Sequence, residues 1–251
     1  MNGQVDLRQR DEADVSPKSE PCTAGGLGCA SRGGYELGWV AADDSNIAPT
    51  DANLACADPF STWTSTAGSH ENLPISCVTW AEAYAFCIWD GGFLPSEAEW
   101  EYAAAGGNEQ REFPWGSTDP GTESQYAIYG YWTGKPTSVG ACYYPSAGPC
   151  TGVMNIAPVG TATRGAGRWG QLDLAGEMEE WNLDWAELSP DYANPCTDCT
   201  VVGGPATDLL GRVVRGGDFE SDDVFMVPSR AYNVIPTNRA YWVGFRCAST
   251  P

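Results

Sequence analysis

The sequence predicts a single α+β domain, low in regular secondary structure and stapled by disulfides. Three observations carry that expectation. The chain holds ten Cys, an even number, beside one His. Eleven Trp and eleven Tyr accompany 30 Gly and 18 Pro, so large rings fill the core and turn-formers leave little room for long helices. Two short, well-capped helical patterns precede a last third made of short strand-like runs. At 251 residues and 42% hydrophobic content the chain suffices for one sizeable core and is too apolar for disorder throughout.

The first helix is predicted to begin after Thr79. Trp80, Ala83, Tyr84, Cys87 and Ile88 recur at helical spacing. Thr79 and Glu82 form a capping box: the hydroxyl takes an orphan amide and the carboxylate reaches back. Asp90-Gly91-Gly92 ends the helix. Ser96 and Glu99 make a second capping box, and Ala98, Trp100, Tyr102, Ala103 and Ala104 carry that helix to Gly106-Gly107.

Residues 108–170 read as turns and short aromatic stretches, with no internal repeat. Strand-like runs follow at Arg212–Arg215, Val224–Val227 and Tyr241–Arg246. Residues 1–60 are polar and punctuated by Gly25-Gly26 and Gly33-Gly34, so they are expected to be loop-rich, as part of the same domain or a lid on it. The main domain is placed at 61–251.

Ten Cys with one His are unlike a zinc protein, where the two share the ligand work. Disulfides persist outside the cytosol, which points to a secreted, periplasmic or cell-surface protein. Met1–Asp14 is polar and carries no signal-peptide pattern, so any signal is expected to have been removed or to lie upstream. By proximity along the chain the pairs are Cys22–Cys29, Cys56–Cys77, Cys142–Cys150 and Cys196–Cys199. The net charge of −20, from 33 acids and 13 bases, argues against nucleic acid, whose phosphates need Lys and Arg. No apolar run reaches the roughly 18 residues of a membrane span, so no membrane insertion is expected. With His70 the lone His, nucleophile schemes that need a histidine base are excluded. The acid pairs Glu97/Glu101, Glu179/Glu180 and Asp222/Asp223 read as solvated surface in so acidic a chain.

Three segments in order resemble one family. The first runs Pro74-Ile75-Ser76-Cys77-Val78-Thr79-Trp80, then Leu94-Pro95-Ser96-Glu97-Ala98-Glu99-Trp100-Glu101-Tyr102, then Phe113-Pro114-Trp115-Gly116. The second is Gly170-Gln171-Leu172-Asp173-Leu174-Ala175-Gly176, with Glu180-Trp181 after it. The third is Arg212-Val213-Val214-Arg215-Gly216-Gly217, Arg230, and Gly244-Phe245-Arg246-Cys247. Together they resemble the formylglycine-generating (sulfatase-modifying factor) domain, which implies a variant of the C-type lectin-like fold. The resemblance also implies that Cys87–Cys247 is the disulfide closing the fold.

The family's enzymes oxidise a sulfatase cysteine with copper held by two cysteines between the Arg-Gly-Gly and Gly-Phe-Arg motifs. Here that segment, Asp218–Val243, has no Cys. Carboxylates do not replace a dithiolate for soft Cu(I). An iron-dependent branch needs clustered histidines. Neither copper nor iron is therefore expected. The resemblance implies calcium at the loop Asp173–Trp181, through Asp173, Glu180 and the carbonyls of Gly176 and Met178, an all-oxygen set suited to a hard ion. Glu177 stands where the family has Asn, and Glu179 where it has Trp. The family's second calcium site reads as lost, since Ile128 and Ala166 stand at its positions.

The expected function is a non-catalytic domain binding a protein or other extracellular ligand through the late loops 218–242. Phe219, Asp222, Asp223, Tyr232, Asn233, Tyr241 and Trp242 are its candidate contacts, because aromatic rings give large contact area for little entropy. The alternative is a formylglycine-generating oxidase, and a third reading is a structural spacer.

Overall fold

The computed structural model describes residues 41–55, 60–131, 141–142, 144, 148–149, 155–186, 200–201 and 211–249. Both predicted helices form. α1 is a single turn, Asp51–Leu54, capped by the Thr50 hydroxyl. α2 spans Trp80–Trp89 and α3 spans Glu97–Ala104, each opened by the expected reciprocal capping box. α2 ends at Asp90, and Gly91 follows in the left-handed region at φ +84°, which a side chain would strain.

β1 (Gly130–Tyr131), β2 (Ala141–Cys142) and β3 (Gly148–Pro149) make a small antiparallel sheet. The main sheet contains β4 (Glu179–Trp185), β5 (Arg212–Arg215), β6 (Ala231–Val234) and β7 (Val243–Gly244), in the order β6-β5-β4-β7. β4 pairs antiparallel with β5 and parallel with β7. Of the predicted strand-like runs, Arg212–Arg215 is β5. Val224–Val227 is not a strand: Asp222 caps a 3-10 turn over Asp223–Phe225, with its side chain accepting from the Val224 amide. Tyr241–Arg246 contributes only the two residues of β7.

α2 packs on β4 through two reciprocal indole bonds. Trp80 Nε1 donates to the Asn182 carbonyl at 2.9 Å, and Trp181 Nε1 donates to the Val78 carbonyl at 3.1 Å. Both rings are fully buried, with Leu54, Leu94, Val214 and Val243 around them. Each ring contributes on the order of 2–3 kcal/mol through burial, and a satisfied N–H avoids the cost of an orphan donor. The Arg212 guanidinium lies between Trp80 and Trp185, 3.7 and 4.2 Å from the ring centroids. Burial lowers its pKa to about 9, against the pull of Asp43 and Asp184. A second core cluster gathers Ile128, Ile156, Ala157, Ala162, Met178 and Phe219.

Cys87 and Cys247 form the expected disulfide, with Cα atoms 5.2 Å apart. It ties α2 to the chain after β7. Cys77 is also disulfide-bonded. Its expected partner Cys56 lies outside the described residues, as do the Cys22–Cys29 and Cys196–Cys199 pairs; of Cys142–Cys150 only the Cys142 backbone is described. The described part of segment 1–60 is a 3-10 turn at Ala41–Asn46 followed by α1. It packs into the main core through Leu54 and Ile47, and the Asn46 carbonyl accepts from the Thr79 hydroxyl.

Candidate functional site

The loop entering β4 is irregular. Asp173, Gly176 and Glu177 all have positive φ, at +58°, +74° and +67°. That path folds the loop beside the chain leaving β7. Between them lies a cleft of about 240 Å³, lined by Val159, Leu172, Asp173, Met178, Phe245 and Arg246, among others.

The four residues assigned to calcium come together here, but both Glu180 side-chain oxygens, one Asp173 oxygen and the Gly176 carbonyl are already engaged. Glu180 is held on both oxygens: Arg246 Nε donates to Oε2 at 2.5 Å and Nη2 to Oε1 at 2.6 Å. Trp100 Nε1 adds a third bond to Oε2 at 2.6 Å. Arg246 also donates to the carbonyls of Leu172 and Asp173. Asp173 Oδ2 accepts from the Gly160 amide at 2.6 Å, and the Gly176 carbonyl accepts from the Met178 amide at 2.9 Å. Burial raises the Asp173 pKa; the Gly160 N–H and Arg246 pull the other way. Two buried acceptors of this loop lack a partner, Gln171 Oε1 and Glu177 Oε2, and of the two only Glu177 carries a carboxylate. Its Oε1 accepts from the Ala157 amide at 2.9 Å, while Oε2 is buried without a partner. Burial, reinforced by Asp173, pushes this carboxyl well above the usual range.

The late segment is divided. Phe219 is fully buried against Ile128 and Met178, so it is core rather than a contact residue. The reason is its backbone: the Phe219 amide donates to the Glu177 carbonyl, which pulls the ring beneath the loop. Asp223 and Asn233 are exposed; Asp222, Tyr232, Tyr241 and Trp242 are half-buried. Tyr232 accepts two bonds from Arg230, whose guanidinium also lies over the Phe225 and Tyr232 rings. Tyr241 stacks on Phe60 at 4.1 Å and meets Trp242 edge-on at 4.7 Å. Its hydroxyl donates to Glu220 Oε2 at 3.0 Å. Burial and the Glu220 charge raise its pKa to about 12.

Two of the acid pairs taken for solvated surface are partly or wholly interior. Glu97 is buried and pairs with Arg215, which also reaches the half-exposed Glu101 at 3.0 Å. Glu179 and Glu180 are both buried. Arg215 and Arg246 are the cations that composition could not place. Their signal was the motif they sit in, each an Arg beside a Gly-rich or aromatic step.

A family model described as the sulfatase-modifying factor enzyme 1-like domain matches residues 27–251. The chain belongs to this family. A formylglycine-generating enzyme from Streptomyces coelicolor is 35% identical over 186 residues, covering 71% of this chain and 53% of that protein. The mouse inactive C-alpha-formylglycine-generating enzyme 2 is 28% identical, covering 71% and 49%. The chain thus spans about half the length of the curated relatives it matches. Among solved structures, Treponema denticola variable protein 1 aligns with a TM-score of 0.48 at 20% identity over 76% of each chain. PvdO from Pseudomonas aeruginosa aligns with 0.49 at 23% identity, covering 69% of this chain and 60% of that one.

The residues do not fit the copper of the family's enzymes. Asp218–Val243 offers carboxylates, phenols, guanidinium groups and the fully buried thioether of Met226, and no thiol. A lone thioether among hard or cationic groups does not replace a dithiolate for Cu(I).

Proposed function

We propose that this chain is an exported, non-catalytic member of the sulfatase-modifying factor family that binds a protein ligand through its late segment, residues 218–242. The observation that carries this reading is the replacement of the family's thiolate pair by acids and aromatics in that segment. Exposed Asp223 and Asn233 beside half-buried Tyr232, Tyr241 and Trp242 support a contact surface. The Cys87–Cys247 bridge, with no free cysteine among the described residues, supports an oxidising compartment. A match to a relative named inactive is consistent with lost chemistry.

Calcium at the loop before β4 belongs to the same proposal. With Glu180 engaged by Arg246, the ion would draw on the orphaned Glu177 Oε2, Asp173 and neighbouring carbonyls. Such an ion would fix the loop.

The test is to incubate the purified chain with copper, oxygen and a cysteine-bearing sulfatase peptide and to follow the peptide by mass spectrometry. No formylglycine is expected, and its formation would overturn the non-catalytic reading. Metal analysis of the same sample is expected to show calcium without copper. A melting temperature unchanged by chelation, in a sample free of calcium, would remove the calcium part.

A further inference from the structure

The cleft between the loop before β4 and the chain leaving β7 keeps unspent polar groups of both signs on its lining. Arg246 supplies the donor. Its Nε and Nη2 are committed to Glu180 and to the carbonyls of Leu172 and Asp173. Its Nη1, with two N–H groups, makes no hydrogen bond among the described residues. The Arg246 side chain stays 28% exposed where its partner Glu180 is 8% exposed, so the uncommitted edge of the guanidinium is the reachable one.

Two carboxylates on the same lining supply acceptors. Asp173 is half-buried; the Gly160 amide takes its Oδ2, and its Oδ1 accepts nothing among the described residues. Glu177 is only 3% exposed; the Ala157 amide takes its Oε1, and its Oε2 is buried without a partner. Donor and acceptors are neighbours, since Arg246 Nη2 reaches the Asp173 carbonyl at 2.9 Å. The remaining lining is mostly apolar: Pro74, Val159, Leu172, Met178 and Phe245. Val159 is 59% exposed and stands where the cleft meets solvent.

A few convergent polar groups in a mostly apolar concavity are the usual make-up of a small-molecule site. A buried acceptor left unpaired costs free energy that a ligand's donor restores. The lining asks for three things at once: an anionic acceptor for Arg246 Nη1, a cationic donor for Asp173 and Glu177, and an apolar body. A simple amine leaves the guanidinium edge unanswered, and a simple carboxylate leaves the acids so. At about 240 Å³ the cleft lies below the roughly 300–1,000 Å³ of sites for drug-sized molecules, so the ligand is small. We propose that this cleft binds a free α-amino acid with an apolar side chain, its carboxylate on Arg246 Nη1, its ammonium on Asp173 and Glu177, and its side chain against the apolar lining. A residue within a peptide does not serve, because amide formation removes one or both charges. The site is separate from segment 218–242 and adds a second ligand to the function proposed above. The calcium proposed for this loop draws on the same Glu177 oxygen, so the two ligands compete.

The test is calorimetric titration of the purified full chain, in chelator at neutral pH, with L-valine, L-leucine and L-methionine. The amino acid that binds most tightly is then compared with its decarboxylated amine and its deaminated acid; for leucine these are 3-methylbutylamine and 4-methylpentanoate. The amino acid is expected to bind at least about tenfold more tightly than either analogue, because each lacks one charged contact. Glu177→Gln is expected to weaken it about tenfold. Val159→Trp fills the cleft from its exposed rim, so it should abolish binding with the melting temperature unchanged, and it keeps the test valid if E177Q does not fold. Asn233→Ala, in the late segment, should leave the amino acid bound as before. No binding by any of the three amino acids overturns the proposal, and equal affinity for the amine or the acid overturns the two-ended recognition. Full binding in V159W places the ligand elsewhere and overturns the site. Binding that appears only when calcium is added makes the ligand a partner of the metal and overturns the seat on Glu177. Loss of protein-ligand binding in N233A with the amino acid still bound would separate the late-segment surface from this cleft and leave the proposal standing.

Discussion

Arg246 grips Glu180 with two parallel hydrogen bonds, at 2.5 and 2.6 Å, across the join between the chain leaving β7 and the start of β4. The fork geometry is specific to a guanidinium, and Trp100 completes the carboxylate from α3. One carboxylate therefore ties a helix, a strand and the C-terminal stretch together. Glu180→Gln is expected to destabilise the fold by about 3 kcal/mol, because it leaves a largely buried guanidinium unpaired. Arg246→Lys should cost a comparable amount through loss of the fork. A double variant with Met at both positions should recover much of the loss. Urea denaturation of the three variants checks the ordering; a neutral E180Q would show that the pair is solvent-screened.

That relationship was not legible in the sequence, although the elements it joins were. The capping boxes at Thr79/Glu82 and Ser96/Glu99 are local, with both partners three residues apart, so sequence exposes them directly. The Glu180–Arg246 pair spans 66 residues, and nothing in either neighbourhood announces the other. β4 is hidden for a related reason. Six of its seven residues are buried, so Glu179–Trp185 lacks the alternation that marks a half-solvated strand. Phe219 reads as a surface ring because its neighbours are acids, yet its amide bond to Glu177 turns it inward. Composition made the pairs Glu97/Glu101 and Glu179/Glu180 look solvated, and only the fold shows Arg215 holding Glu97 and Arg246 holding Glu180 inside.

Glu179 makes stability depend on pH with a definite sign. Burial, followed by the Asp218 charge, raises its pKa from 4.5 to about 8. A group whose folded pKa is raised favours folding while protonated. Its contribution is complete below about 4.5 and is lost as pH rises through about 8, at up to roughly 1.4 kcal/mol per unit between them. Burial also raises Asp184, which adds a slope of the same sign. Denaturation in the presence of a chelator should show stability falling between pH 5 and 8. Glu179→Gln should remove about one proton from that linkage. An unchanged slope in E179Q would place the linkage elsewhere.

Gly176 is fixed by space as well as by conformation. Its φ is +74°, and a Cβ would lie 2.3 Å from the Ile128 carbonyl oxygen, which it cannot avoid while the Ile128–Gly176 bridge is kept. Gly176→Ala is expected to cost about 3 kcal/mol, combining left-handed strain with a backbone clash. Gly170 separates the two effects, since it has φ +87° and nothing within 4 Å of a Cβ. Gly170→Ala should cost only about 1 kcal/mol. Equal costs at the two positions would mean that the loop yields and the bridge is dispensable.

The Cys87–Cys247 bridge closes 160 residues between the last turn of α2 and the chain after β7. A loop of that length removes about 5 kcal/mol of unfolded-state entropy in the chain-entropy treatment. The Phe93–Ala248 bridge and the packing of Phe245 on Phe86 hold the same junction without it, so the folded geometry is supported on both sides. The paired substitution Cys87→Ala with Cys247→Ala should therefore lower stability by several kcal/mol and leave the fold recognisable by circular dichroism below the new midpoint. Cys87→Ala alone should be worse in practice, because it frees Cys247 to exchange with the disulfide at Cys77. Calorimetry of the double variant decides the point: a shift of only a degree or two would mean that the junction contacts, and not the covalent link, hold the C-terminal stretch against α2.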